Sequence, residues 1–130
     1  MTLVVLDTNV VVSALLNPRG TPAQVLAAVL AERVHAVYDA RIVAEYLEVL
    51  FRPRFGLDQA LVTHVVTAIT VFGHAVVAPP MRPLEPDPTD TPFYEVAVWA
   101  DALLVTGNTK HFPSDDPRIV TPAELIELLT

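Results

Sequence analysis

The sequence contains no cysteine. Disulfides and thiolate metal sites are thereby excluded, and the absence fits a reducing cytosol. Positive charge is scarce: eight Lys and Arg stand against fifteen Asp and Glu, a formal net charge of −7. A protein that grips nucleic acid through its phosphates normally carries a basic face, so tight non-specific binding of nucleic acid is not expected. An acidic surface suits a basic protein partner, or a site where carboxylates hold cations. Long apolar runs are also missing. Mean hydropathy is +0.46, yet no stretch reaches the ~18 apolar residues of a membrane-spanning helix. The richest, Ala60 to Phe72, is broken by Thr63, His64, Thr67 and Thr70. No Lys or Arg precedes the first apolar run, which carries Asp7, the wrong pattern for a signal peptide. A soluble, cytoplasmic chain without membrane association is expected. Glycines number only four, and the twelve prolines gather at element boundaries and between residues 79 and 92. With 130 residues, 52% of them hydrophobic, one domain spanning 1–130 is predicted.

What is present alternates. Leu3-Val4-Val5-Leu6 reads as a buried strand that ends at Asp7-Thr8-Asn9. Thr21-Pro22-Ala23-Gln24 is a capping-box pattern with proline at the first helical position, predicting a helix to about Arg33. His35 to Tyr38 is a short strand, after which Asp39 caps a helix to about Phe51, ended by Arg52-Pro53-Arg54. Asp58 caps a further helix to about Phe72. Gly73 precedes a strand at Ala75-Val76-Val77, and a proline-rich loop follows from Pro79 to Pro88. Asp90 starts a helix ending near Ala100. Ala102 to Thr106 is a continuous apolar strand, Ile119-Val120 a last short one, and Thr121-Pro122-Ala123-Glu124 a second capping box. Strands separated by helical segments imply a parallel sheet covered on both faces.

In open α/β sheets the carboxyl ends of the strands carry the chemistry. Asp7 stands at such an end, although an aspartate there also serves as a helix cap. In the segment from Ile42 to Leu50 the residues Ile42, Val43, Tyr46, Leu47, Val49 and Leu50 make one apolar arc at about 100° per residue. Glu48 falls opposite its centre, toward solvent. Glu45 falls at its edge, placed either to reach a neighbouring cleft or to pair with Arg41 or Arg52. Asp90 is either an N-cap or, sharing a face with Phe93 and Ala97, an inward carboxylate. Asn108 follows its strand as Asp7 follows the first. Carboxylates gathered in one crevice repel and raise one another's pKa unless a hard divalent ion, Mg²⁺ or Mn²⁺, lies between them. His35, His64 and His74 show no ligand spacing and read as structural.

Taken together, Val4-Val5-Leu6-Asp7-Thr8-Asn9-Val10, the helix of Glu45 with Leu50, Arg52, Pro53 and Phe55, Asp87-Pro88-Thr89-Asp90 with Phe93, and Ala100 to Asn108 running on to His111-Phe112 form an ordered set. It resembles the PIN-domain ribonucleases, in particular the VapC-like toxins of toxin–antitoxin pairs. The resemblance covers essentially the whole chain. It implies a three-layer α/β/α sandwich around a central parallel sheet, with the third strand at one edge, the first in the middle and the last at the other edge. It carries the family's acidic site over as Asp7, Glu45 and Asp90, with Asn108 where an aspartate is common and Thr89 where an additional aspartate is frequent. Asn contributes no charge, which leaves the number of bound ions open. Asn9 and Thr106 are implied to orient the carboxylates, and Asp101 to belong to a turn. The chemistry implied is metal-assisted hydrolysis of an RNA phosphodiester. Arg52, Arg54, Lys110 and His111 are the basic residues near the site mouth, where they either position phosphates or serve solubility. The resemblance also implies a homodimer and a small cognate antitoxin protein.

Two other classes compete. A receiver domain or dehalogenase-like phosphatase also places an aspartate after the first strand. The dehalogenase pattern, however, needs a second aspartate where Asn9 stands, and a receiver needs one after the third strand, where Val77-Ala78-Pro79 offers none. A PIN-like binding module with a decayed site is favoured by Asn108 and the net charge, and opposed by three acids in order.

Overall fold

The computed structural model describes residues 1–80 and 88–130; most of the expected proline-rich loop, Asp87 included, lies outside the described residues. Five parallel strands form one sheet: β1 (Leu3–Leu6), β2 (His35–Tyr38), β3 (His74–Ala75), β4 (Leu103–Val105) and β5 (Ile119–Val120), in the order β3-β2-β1-β4-β5. Among the described residues six α-helices accompany them, the last following β5: α1 (Thr8–Leu16), α2 (Thr21–Leu30), α3 (Ala40–Leu50), α4 (Gln59–Phe72), α5 (Thr91–Ala100) and α6 (Pro122–Leu128). Helix α5 packs on β1, β2 and β4, while α2 packs on α1 and α6. This is the expected three-layer α/β/α sandwich. The central strand β1 is apolar throughout because it is covered on both faces: Val4, Val5 and Leu6 are essentially inaccessible. No helix among the described residues is long and apolar enough to cross a membrane.

Helix α1 has no counterpart in the sequence reading. Its Val10-Val11-Val12 run is β-branched and disfavours an isolated helix. Burial of all three, with Ala14, against neighbouring elements overrides that preference. Helix α2 begins one residue earlier than expected, with Gly20 rather than Thr21 at the N-cap position, so the capping box is not made. Pro22 still lies in the first turn, where its missing N–H costs no helical bond. The helix stops at Leu30 rather than Arg33, because Glu32 turns into positive φ (58°). At the other end of the chain the capping box of Thr121 and Glu124 is complete, with bonds in both directions. Asp39 and Asp58 cap α3 and α4 as expected, accepting from the backbone N–H of Ile42 and Ala60.

Strand β3 is shorter than expected and displaced toward Gly73. It pairs with β2 through Val37 and Tyr38, and β2 ends where Asp39 turns the chain into α3. Val77 therefore lies beyond the end of β2 and is 90% exposed. Gly73 itself is needed for close approach: a Cβ there would lie 2.6 Å from the carbonyl oxygens of both Ala36 and Ile69. The apolar arc of α3 is also narrower than expected. Ile42, Tyr46 and Leu50 are buried, whereas Leu47 faces outward.

Candidate active site

β1 and β4 run side by side with Leu6 opposite Val105. The residues that follow, Asp7 and Thr106, therefore leave the sheet together at its carboxyl edge. Thr106 Oγ1 donates to Asp7 Oδ2 at 2.7 Å, and Asn9 Nδ2 donates to the same oxygen at 3.2 Å. Asn9 Oδ1 in turn accepts from the Gly107 N–H at 3.2 Å, and Thr106 Oγ1 accepts from the Asn108 N–H at 2.9 Å. The start of α1 is thus laced to the end of β4. Asp7 occupies the backbone N-cap position of α1, but its side chain makes no capping bond and faces the crevice instead. It is only 5% exposed. Burial is the main cause that raises its pKa to about 6; the Thr106 bond opposes the shift, and the charge of Asp90 adds to it.

Helix α3 brings the second carboxylate. Glu45 is half-buried and accepts a hydrogen bond from the Thr8 hydroxyl. The next residue, Tyr46, is fully buried and donates its hydroxyl to the Leu6 carbonyl. Consecutive side chains of α3 therefore grip the residues on either side of Asp7. The Glu45 carboxyl is raised by burial and by the charges of Asp7 and Glu48, with the Thr8 bond acting against it. Glu48 turns to solvent and pairs with Arg52 at 2.7 Å. Arg41 is taken by Asp39 and the buried Glu95, both at 2.7 Å. Neither arginine forms an ion pair with Glu45.

The third carboxylate, Asp90, sits at the N-cap position of α5 without a side-chain capping bond and meets His111 Nδ1 at 2.9 Å. Asp7, Glu45, Asp90 and Asn108 all line one crevice of about 360 Å³. Arg52, Arg54, Phe55, Thr89 and His111 complete much of its rim. Arg54 stacks over the Phe55 ring, 4.8 Å from its centre. Thr106 is fully buried behind Asp7. Lys110 is the exception among the expected basic residues, since its side chain lines a neighbouring cleft rather than this one. Asp101 is the exposed, left-handed residue that ends α5. His35 and His74 pack against each other with ring centres 5.6 Å apart, and His64 is exposed on α4.

Thr8 and Tyr46 escaped the sequence reading as contributors to this site. Thr8 could be placed only once α1 was known to start there. Tyr46 was legible as a core residue of α3, but its hydroxyl partner, a backbone carbonyl 40 positions away, leaves no sequence signal.

Most candidate donors facing the crevice are oxygens, from three carboxylates and the Asn108 amide, with the His111 imidazole beside Asp90. Hard divalent cations prefer this chemistry. After burial, the main cause in both, the charge of Asp90 adds to the rise of Asp7 and the charge of Asp7 to that of Glu45, and an added cation would offset this. Among the described residues no three His, Asp or Glu side chains stand close enough together to hold an ion as they are. Glu45 is turned to Thr8 and Asp90 to His111, so these side chains would have to swing inward to share one.

Residues 3–110 match the family model described as PIN domain. An uncharacterized protein of Methanocaldococcus jannaschii, MJ1680, is 26% identical over 138 aligned positions, which take in 95% of this chain and 89% of that relative.

Proposed function

Because the chain belongs to the PIN-domain family, a nuclease fold that generally works with divalent metal, we propose that it is an Mg²⁺- or Mn²⁺-dependent endoribonuclease. The observation that carries this reading is the meeting of Asp7, Glu45 and Asp90, from three separate elements, on one crevice at the carboxyl edge of the sheet. Asp7, Glu45 and Asp90 would hold the ion, with Asn108 offering a neutral carbonyl oxygen. When bound, the ion supplies Lewis acidity, making water a better nucleophile and offsetting the charge of the phosphate. The chain's own residues do the rest. Thr106 and Asn9 fix the rotamer of Asp7 through its Oδ2, Thr8 holds Glu45, and His111 faces Asp90 at the rim. Arg54 and Arg52 also line the rim, Arg52 paired with Glu48, so that Arg54 is placed to meet a backbone phosphate.

The toxin role rests on the resemblance and on charge. A −7 protein with an acidic crevice suits an antitoxin whose Arg-bearing segment pairs with Asp7, Glu45 or Asp90 and displaces the metal. Self-association as a homodimer belongs to the same reading. Expression of the chain alone should arrest growth, and a neighbouring small reading frame should relieve the arrest. Harmless expression together with robust cleavage in vitro counts against the toxin role only. Asn108 favours a second reading, a PIN-like binding module whose site has decayed. The decisive experiment is Mn²⁺-dependent cleavage of RNA by the parent and by Asp7→Asn. Cleavage by the parent alone supports the nuclease, equal cleavage by both places the chemistry elsewhere, and none by either supports the decayed module.

A further inference from the structure

A second cleft, of about 460 Å³, adjoins the acidic crevice and is lined by Lys110, Thr109, Ser114, Pro113, Asp116 and Ile119. Its volume falls within the ~300–1,000 Å³ range of small-ligand sites. The wall between the two is the 3₁₀ turn Thr109–His111, which places His111 on the crevice and Lys110 in the second cleft. At a rise of about 2.0 Å per residue this wall is only roughly 6 Å long. We propose that the second cleft is a nucleotide subsite: it holds the RNA nucleotide next to the scissile phosphate, with Lys110 paired to that nucleotide's phosphate. The inference rests on the nuclease reading.

Charge is the reason to single out Lys110. It is the sole lysine of a chain with net charge −7. Arg41, Arg52 and Arg118 are each committed to carboxylates. Among the described residues, the cations near the crevice that form no ion pair are Arg54 and Lys110. They reach the site from separate elements: Arg54 lines the acidic crevice from the turn that follows α3, and Lys110 lines the second cleft from the turn that follows β4. An RNA strand passing from the crevice into the second cleft thus meets a cation in each. Asp116 also lines the second cleft but does not cancel Lys110. Its carboxylate is occupied by the Tyr94 hydroxyl at 2.6 Å and by Arg118 at 3.0 Å. The Thr109 and Ser114 hydroxyls add donors that a sugar or phosphate can use, and Pro113 and Ile119 add apolar surface for a base.

The test is equilibrium binding of a short, labelled single-stranded RNA to the intact protein, with Ca²⁺ in place of Mg²⁺ to suppress turnover. Each phosphate paired on a single strand steepens the fall of log K with log salt by about 0.7. Lys110→Gln should therefore weaken binding several-fold and make that slope shallower by about 0.7, and Lys110→Arg should restore both. Lys110 is exposed, so neither change threatens the fold. Parental affinity and slope in Lys110→Gln would overturn the subsite, and parental cleavage of RNA would then leave the nuclease reading standing. A Lys110-dependent slope in a parent that cuts no RNA would sink the nuclease reading and, with it, the subsite beside a scissile phosphate, leaving only an RNA-binding cleft. A parent that does not bind RNA at all overturns the subsite.

Discussion

The hydroxyl of Thr106, wholly buried, donates to Asp7 Oδ2 at 2.7 Å across the seam between β1 and β4. This bond favours the ionised form of a carboxylate that burial would otherwise keep protonated. Thr106→Val preserves shape and removes the donor. Mn²⁺ affinity, measured by calorimetry, should fall about tenfold, the usual cost of losing a group that orients a ligand, and Thr106→Ser should retain it. Unchanged affinity in Thr106→Val would mean that Asp7 does not hold the ion.

Glu45 and Glu48 share helix α3 and differ in direction. Glu45→Gln should impair both cleavage and metal binding, because Glu45 faces the crevice through Thr8. Glu48→Gln should do neither, because its carboxylate pairs with Arg52 in solvent, where such pairs contribute about 0–1 kcal/mol. Equal losses in the two variants, measured side by side, would contradict this division.

Asp7 also makes stability depend on pH. Its pKa is about 6 in the folded chain against an ordinary 3.8. The unfolded chain releases this proton first, so the stabilisation from a protonated Asp7 is complete below 3.8 and is lost as pH rises through about 6. The loss is roughly 3 kcal/mol, at about 1.4 kcal/mol per pKa unit. Metal-free Asp7→Asn lacks this dependence. In urea melts it should be more stable than the parent above pH 6 by about 2–3 kcal/mol, with the gap closing as the medium becomes acidic. A gap that is constant with pH would show that the carboxyl titrates normally.

An ion that binds only the folded state adds RT ln(1 + [L]/Kd), about 2.7 kcal/mol at a hundredfold excess over Kd. Mn²⁺ should therefore raise the melting temperature of the parent and much less that of Asp7→Asn. Identical shifts in the two proteins would locate the ion away from Asp7.

Asn108 lines the crevice as a neutral donor. Asn108→Asp should tighten metal binding and lower the Mg²⁺ concentration needed for cleavage, without changing which bonds are cut. In the metal-free protein the same change should lower the melting temperature, since a further charge joins three repelling acids. An unchanged Mg²⁺ titration would place residue 108 outside the metal site.

Much of this architecture is written locally. Asp39, Asp58 and Thr121 cap the helices they precede because a cap needs only its own side chain and the next turn of backbone. The buried strands Leu3–Leu6 and Leu103–Val105 are legible as short apolar runs that stop at polar residues. The phase of α3 likewise separates Glu45 from Glu48, because helical periodicity is a property of the segment alone. The ordered acids, with the motifs around them, resemble the family's pattern in the sequence alone.

The sequence by itself therefore determined the kinds of elements, their order and the acids that stand at their ends. Tertiary structure decided what no local pattern encodes. The valine-rich segment after Asp7 is a helix only because the surrounding core buries it. Leu47 leaves the apolar arc for the more exposed side of α3, and β3 stops at Ala75 because its partner β2 ends at Tyr38. Lys110, one residue from His111 in the chain, enters a different cleft because a 3₁₀ turn sends adjacent side chains apart. Above all, Asp7 meets Thr106 across 99 residues because β1 and β4 pair in one register, and register is set by how two buried strands pack together, a relation that neither strand carries alone.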